Sequence, residues 1–194
     1  MKKNQGFSII ELLVALVLAS FLLAVGVPRL NVFFDGNRMV SNTNNLVSAI
    51  QIARSEAIKR GQRVTVCKSA NADAGSPSCS TTGGWEQGWI VFEDVAANAE
   101  FNSSNDTILR RQVGADGAST TIRTSSSTID AYITFTSRGI PKTTTGGAQS
   151  GVLRVCDDRG LTNNSGNVIA RGVVLNAAGR VRLSKSAAVI GGCP

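Results

Sequence analysis

FSIIELLVALVLASFLLAVGV, residues Phe7 to Val27, is an apolar run broken by one charge, Glu11, and closed by Pro28. As a helix rising about 1.5 Å per residue it is roughly 30 Å long, the thickness of a bilayer's hydrocarbon core. The stretch is expected to span a membrane. Before it stands a short polar leader, Met1-Lys2-Lys3-Asn4-Gln5-Gly6. Its lysines favour the cytoplasmic side, so the bulk of the chain is expected outside the cytoplasm.

Two simpler readings compete. A secretory signal has the same basic start and apolar core, but it ends in a small-residue cleavage site and is discarded. No convincing A-x-A site precedes the rest of this chain, and a helical pattern resumes beyond Pro28. A plain single-span anchor gives no reason for an acid inside the run, where a carboxylate costs a few kcal/mol at mid-depth and less near an end. Glu11 calls for a partner.

Gly6-Phe7-Ser8-Ile9-Ile10-Glu11-Leu12-Leu13-Val14 resembles the N-terminal signature of type IV pilins and type II secretion pseudopilins. The resemblance implies that a prepilin peptidase cuts between Gly6 and Phe7, that Phe7 is N-methylated, and that the apolar helix is kept. It also implies that Glu11 meets the amine of its own or a neighbouring subunit, an attraction that is large in a low dielectric and sets subunit register in the filament. The implied location is the inner membrane, single-pass, with a periplasmic C-terminal domain, and then the cell-surface pilus. Implied partners are the peptidase and other major and minor pilins.

Beyond Pro28, Leu46, Ile50, Ala53 and Ala57 recur at helical spacing, with Val47 and Ile58 beside them. One helix is expected, half in lipid and half amphipathic, which Gly26 and Pro28 should bend or locally melt. It should stop at Lys59 and Arg60, which suit the negative end of the helix dipole, with Gly61 as a left-handed cap. After Gly61 short alternating or β-branched runs appear at residues 63–68, 89–93, 107–110, 122–124, 132–136, 152–156, 173–175 and 180–183. Stretches 98–106, 115–127, 143–150 and 162–167 read as long mobile loops. The fold class is α+β: an antiparallel β domain with one sheet face covered by the helix's apolar stripe. The expected divisions are leader 1–6, transmembrane helix 7–27, amphipathic helix 28–60 and extracytoplasmic β domain 61–194.

Composition argues against an enzyme. The 194 residues include no His, the commonest general base and metal ligand, and no Walker, G-x-S-x-G or H-E-x-x-H pattern. Carboxylate or Lys catalysis stays open, but Asp157-Asp158 sits in a Gly/Asn-rich context that reads as a turn. No cofactor or metal is called for. Cys67, Cys79, Cys156 and Cys193 belong to a chain headed for an oxidising compartment, where disulfides are expected. Three pairings are possible; Cys67 with Cys79 and Cys156 with Cys193 is favoured. A zinc site is disfavoured by the lack of C-x-x-C spacing and of His.

Ala53 to Cys67 (ARSEAIKRGQRVTVC) and Trp85 to Phe92 (WEQGWIVF) resemble the GspH/FimT branch of the pilin family, which includes minor pilins and a minor pseudopilin. In these segments Arg54 and Glu56 read as domain-bracing groups, and Trp85 and Trp89 as core or sheet-edge aromatics.

Charge is uneven. Residues 1–100 hold nine Lys/Arg against eight Asp/Glu, and residues 101–194 hold eleven against five. A basic distal half suits a polyanion such as DNA, an acidic neighbour or envelope, or simply solubility. Within it, Asn176-Ala177-Ala178-Gly179-Arg180-Val181-Arg182-Leu183-Ser184-Lys185 reads as a turn and a strand, with Val181 and Leu183 on one face and Arg180 and Arg182 on the other. The two guanidinium groups suit phosphate oxygens. Gly179-Arg180-Val181-Arg182 also resembles the G-R-x-R motif of FimT-type minor pilins that bind DNA in natural transformation. That implies phosphate contacts from Arg180 and Arg182, a turn permitted by Gly179, added charge from Lys185, and a Cys193 tether that holds the hairpin. The competing readings are a structural minor pilin that primes assembly and a type II secretion pseudopilin; an anchored periplasmic enzyme is more distant.

Overall fold

The computed structural model describes residues 8–115, 120–163 and 165–193, the side chains of residues 28 and 29 excepted. The expected cleavage and methylation positions, Gly6 and Phe7, lie outside the described residues. Two compact units divide the chain between Asn37 and Arg38.

The first unit is the beginning of α1 (Ile9–Arg60). Its large apolar side chains, including Ile9, Leu13, Phe21, Leu23 and Phe33, are all exposed, and the helix is long and apolar enough to cross a membrane. An apolar surface of this extent needs lipid or other subunits around it. Helical structure continues without a break across Gly26 and Pro28, so the expected local melting does not occur. An internal proline removes one donor, and the neighbouring turns retain their own bonds.

The second unit contains the rest of α1 and all the strands. Leu46, Ile50, Ala53 and Ala57 are fully buried, and α1 ends in basic Lys59 and Arg60 before Gly61 at φ +66°. Among the described residues eight strands follow: β1 (Val64–Lys68), β2 (Gly88–Glu93), β3 (Thr107–Val113), β4 (Thr121–Thr124), β5 (Tyr132–Phe135), β6 (Gly151–Cys156), β7 (Arg171–Leu175) and β8 (Val181–Ser184). A short α2 (Ala187–Ile190) closes the chain. The strands form two antiparallel four-stranded sheets, β3-β2-β1-β5 and β4-β6-β7-β8, instead of one sheet under the helix. Eight strands side by side would be roughly 38 Å wide at about 4.8 Å per strand, far beyond what a helix about 10 Å across can cover. Splitting the sheet lets both halves share one core: Val66, Trp89, Val91 and Phe135 from the first and Leu153, Val155, Val173 and Leu175 from the second pack with the helix stripe. Trp85 and Trp89 are thus both core residues.

Polar groups finish what the apolar core leaves open. Glu86, in the 3-10 turn Trp85–Gln87 before β2, accepts from the Ile122 N–H at 2.9 Å and pairs with Arg123 on β4, joining the two sheets. Burial pushes the Glu86 carboxyl up, but the Arg123 guanidinium and the Ile122 N–H outweigh it and hold the group below the usual carboxylate range. Lys68 is fully buried and donates to Gly83 O at 2.9 Å and Asp130 Oδ2 at 3.3 Å, the pairing that a buried ammonium requires.

Three of the segments expected to be mobile loops are tied down, and the fourth contains structure. In residues 98–106, Asp94 accepts from the N–H groups of Asn98 and Ala99, and Asp106 from those of Val95 and Asn102. These carboxylates support Ala97 and Ala99 at φ 58° and 61°, a conformation that is costly for alanine. Residues 143–150 and 162–167 are closed by the bridges Lys142–Ala148 and Thr162–Val168. The stretch 115–127 includes β4, and its residues 116–119 lie outside the described residues. Asp157 turns the chain as expected, accepting from the N–H of Arg159 at 3.0 Å and pairing with its guanidinium.

Candidate functional site

The β7–β8 hairpin brings the C-terminal arginines to an edge of the second sheet. Asn176 builds its turn: the Asn176 N–H donates to Arg180 O at 3.1 Å, and its Oδ1 accepts from the N–H groups of Ala178 and Arg180 at 3.1 and 2.8 Å. This is the side-chain mimicry of a turn that makes Asn common at such positions. Gly179 is required twice over. Its φ is +77°, and a Cβ there would fall 2.4 Å from the carbonyl oxygen of Gly139.

That close approach is bridged by Arg54. From α1, its Nε donates to Gly139 O at 3.1 Å and a terminal nitrogen donates to Ala178 O at 3.3 Å. One guanidinium therefore holds the turn after β5 and the turn before β8 together. The sequence marked Arg54 as a brace, but its partners lie 85 and 124 residues away, and no local pattern points to them. Glu56 braces more locally, through Arg60, which also reaches Glu93 at 3.1 Å. The Arg60 hydrogen bond, opposed by burial, lowers the Glu56 carboxyl's pKa.

Beside the hairpin, between the end of α1 and β8, lies a cavity of about 640 Å³. Arg54, Arg180 and Arg182 line it with Gln51, Ser55, Ile58 and Val181, and no carboxylate is among its lining residues. Arg180, Arg182 and Lys185 are exposed. None of the three has an ion pair among the described residues. Val181 packs on the core, but Leu183 is 50% exposed. Although it lies opposite buried Val173, β8 is the edge strand, and among the described residues no strand pairs with its outer side.

The cysteines pair as Cys67–Cys79 and Cys156–Cys193. The second bridge secures the tail to β6, where Cys156, Ala170 and Ile190 form a small cluster. It supports the far end of β8, while Asn176 and Arg54 fix the turn itself, so the tether is not what holds the arginines in place. Glu11 stands in the first turn of α1. Among the described residues no cluster of ligating side chains could hold a metal.

The family model for "Type II transport protein GspH" matches residues 42–179, and that for "Prokaryotic N-terminal methylation motif" matches residues 1–27. Arg180, Arg182 and Lys185 lie just past the first match. None of the curated proteins compared matches the chain. The crystal structure of the type IV minor pilin FimU of Pseudomonas aeruginosa in space group P21 superposes with TM-score 0.53 at 19% identity, over 78% of this chain and 92% of that one. The same protein in space group P65 gives 0.49 at 18% identity, over 74% and 90%. At these identities the P21 structure speaks for the fold alone. With most of its length under one family model, the methylation motif at its head, and a long helix on antiparallel sheets, this chain belongs to the GspH family of type IV pilin-like proteins.

Proposed function

We propose that the chain is a minor type IV pilin that takes part in pilus biogenesis and binds DNA, without sequence preference, through the Gly179–Arg182 hairpin for uptake in natural transformation. The observation that carries the reading is the cavity edge with three arginines and no carboxylate. Guanidinium groups about 7 Å apart along a strand match successive phosphate contacts, and no aromatic side chain lines the cavity to stack on bases. Contact is then electrostatic and weak for one subunit, and capture relies on several copies or on a pilus tip for avidity. The helix supplies assembly: a prepilin peptidase cuts between Gly6 and Phe7, Phe7 is methylated, and Glu11 sets register against a neighbouring amine. The protein stands in the inner membrane with its C-terminal domain in the periplasm before joining the surface pilus.

The test is duplex DNA binding by the full chain in detergent micelles, wild type against Arg180→Gln/Arg182→Gln, across a salt series. Each phosphate that the variant no longer neutralises should flatten the logarithmic salt slope by about one. Equal binding by both proteins assigns any affinity to diffuse charge and ends the hairpin reading. A second reading, a minor pseudopilin of a type II secretion system, is favoured by the description of the matching family. Deleting the gene separates the two: loss of protein secretion with pili and transformation intact selects the pseudopilin.

A further inference from the structure

Two four-stranded sheets have four edges: β3 and β5 in one, β4 and β8 in the other. Unpaired edges are templates for other strands, and proteins normally blunt them. Two are closed by hydrogen bonds here, and a third is distorted by a register irregularity. Along β5, Lys142 N–H donates to Thr134 O, while Gln149 accepts from Thr134 N–H and donates to Tyr132 O, all at 2.8–2.9 Å. On β4 the N–H of Ile122 goes to Glu86 and its C=O accepts from Arg123 at 3.3 Å. The β2–β3 pairing is irregular at Val91/Phe92, and Arg110 and Arg111 of β3 are drawn aside to Ser48 and Ala74.

The fourth edge is open. Asn176 and Arg180 form a hydrogen-bonded pair at the mouth of the hairpin. Antiparallel alternation then directs the N–H and C=O of Arg182 and Ser184 toward β7 and those of Val181 and Leu183 away from it. Among the described residues nothing bonds to these outward groups. Beside them lies the 640 Å³ cavity, and both Leu183 and Ile58 are about half exposed, at 50% and 53%.

We propose that the free edge of β8 accepts an extended acidic segment of a different protein as a fifth strand of this sheet. The register dictates the partner's chemistry. Directly opposed residues share a sheet face, so those opposite Val181 and Leu183 lie on the apolar side and those opposite Arg180 and Arg182 on the cationic side. An alternating aliphatic–acidic strand satisfies both. A second copy of β8 does not: antiparallel registers centred on Val181 or Arg182 set arginine against arginine, and like charges directly opposed are destabilising, while the register centred on Leu183 sets Lys185 against Val181 on the apolar side. The partner is therefore heterologous. The proposal concerns outward backbone groups, but the acidic strand meets the same arginines as DNA, so the two ligands compete for this edge.

The register also fixes the test. In a fluorescent peptide Thr-Glu-Val-Glu-Val-Glu-Thr, the valines opposite Val181 and Leu183 exchange backbone hydrogen bonds with β8, and the glutamates do not. N-methylation of both valines should weaken binding to the full chain in detergent micelles at least tenfold, whereas N-methylation of the glutamates, at identical net charge, should leave it within twofold. Arg182→Glu should likewise cost at least tenfold and favour the lysine-for-glutamate peptide. Equal loss from both methylation patterns, or loss from neither, overturns strand addition and leaves charge alone. Absence of peptide binding in a preparation that binds duplex DNA also overturns it, and makes nucleic acid the ligand of this edge.

Discussion

Replacing Gly179 with alanine separates two costs that the structure assigns to one position. An L-residue in left-handed backbone costs about 1–2 kcal/mol, and Gly179 has φ +77°. Its Cβ would also stand 2.4 Å from Gly139 O, and forcing packed atoms apart costs a further 1–3 kcal/mol or so. Gly146 is the control: its φ is +89°, with nothing within 4 Å of a Cβ. Gly146→Ala is expected to lose about 1–2 kcal/mol and Gly179→Ala about 2–5 kcal/mol. Urea unfolding of the full chain in detergent micelles measures both, with the buried Trp85 and Trp89 as fluorescence reporters. Because the displaced carbonyl is also the acceptor of Arg54 Nε, Gly179→Ala should loosen the hairpin and weaken anion binding as well, while Gly146→Ala should leave it unchanged. Equal destabilisation by the two substitutions would refute the argument that the two turns are in contact.

Ile50→Ala removes a fully buried side chain from the stripe beneath both sheets and should cost about 2–5 kcal/mol; a smaller loss in the same urea assay would mean that the core collapses around the gap. The disulfides close separations of 12 and 37 residues, which the chain-entropy relation converts to about 2.8 and 3.8 kcal/mol. Cys156→Ser/Cys193→Ser should therefore lower the unfolding midpoint more than Cys67→Ser/Cys79→Ser, and the reverse order would contradict it. Glu86 has a depressed folded-state pKa, so its contribution is present above the usual carboxylate range and is lost as pH falls through that folded-state value. Glu86→Gln should flatten the fall in stability below about pH 4, and an unchanged pH profile would show that the Arg123 pair contributes nothing.

Much of this was legible because local chemistry set it. Each of the eight runs expected as strands overlaps one, since β-branched residues alternate between Gly, Ser and Asn breaks, and Lys59, Arg60 and Gly61 mark the helix end. The arginine hairpin was readable from Asn176 and Gly179. What stayed hidden depends on contacts remote in sequence. The split into two sheets follows from covering a core, which no single strand records. Gln149 looks like a loop residue, yet it is buried and completes an edge by bonding Thr134, Tyr132 and Thr128. Arg54 carries no sign of the two carbonyls that it joins. The position of β8 at an open edge, which decides that Leu183 is exposed, is likewise a property of the assembled sheet.

The order of the disulfides along the chain has a consequence for how this protein is made. Each cysteine is bonded to the one adjacent to it in sequence, first with second and third with fourth. When the polypeptide emerges N-terminus first, Cys67 meets Cys79 before Cys156 is available, and Cys156 then finds no free thiol except Cys193. Oxidation that kept pace with emergence into an oxidising compartment would therefore reach these bonds in order, with no reshuffling needed. Denatured, reduced chain re-oxidised all at once lacks that guidance and has three pairings from which to choose.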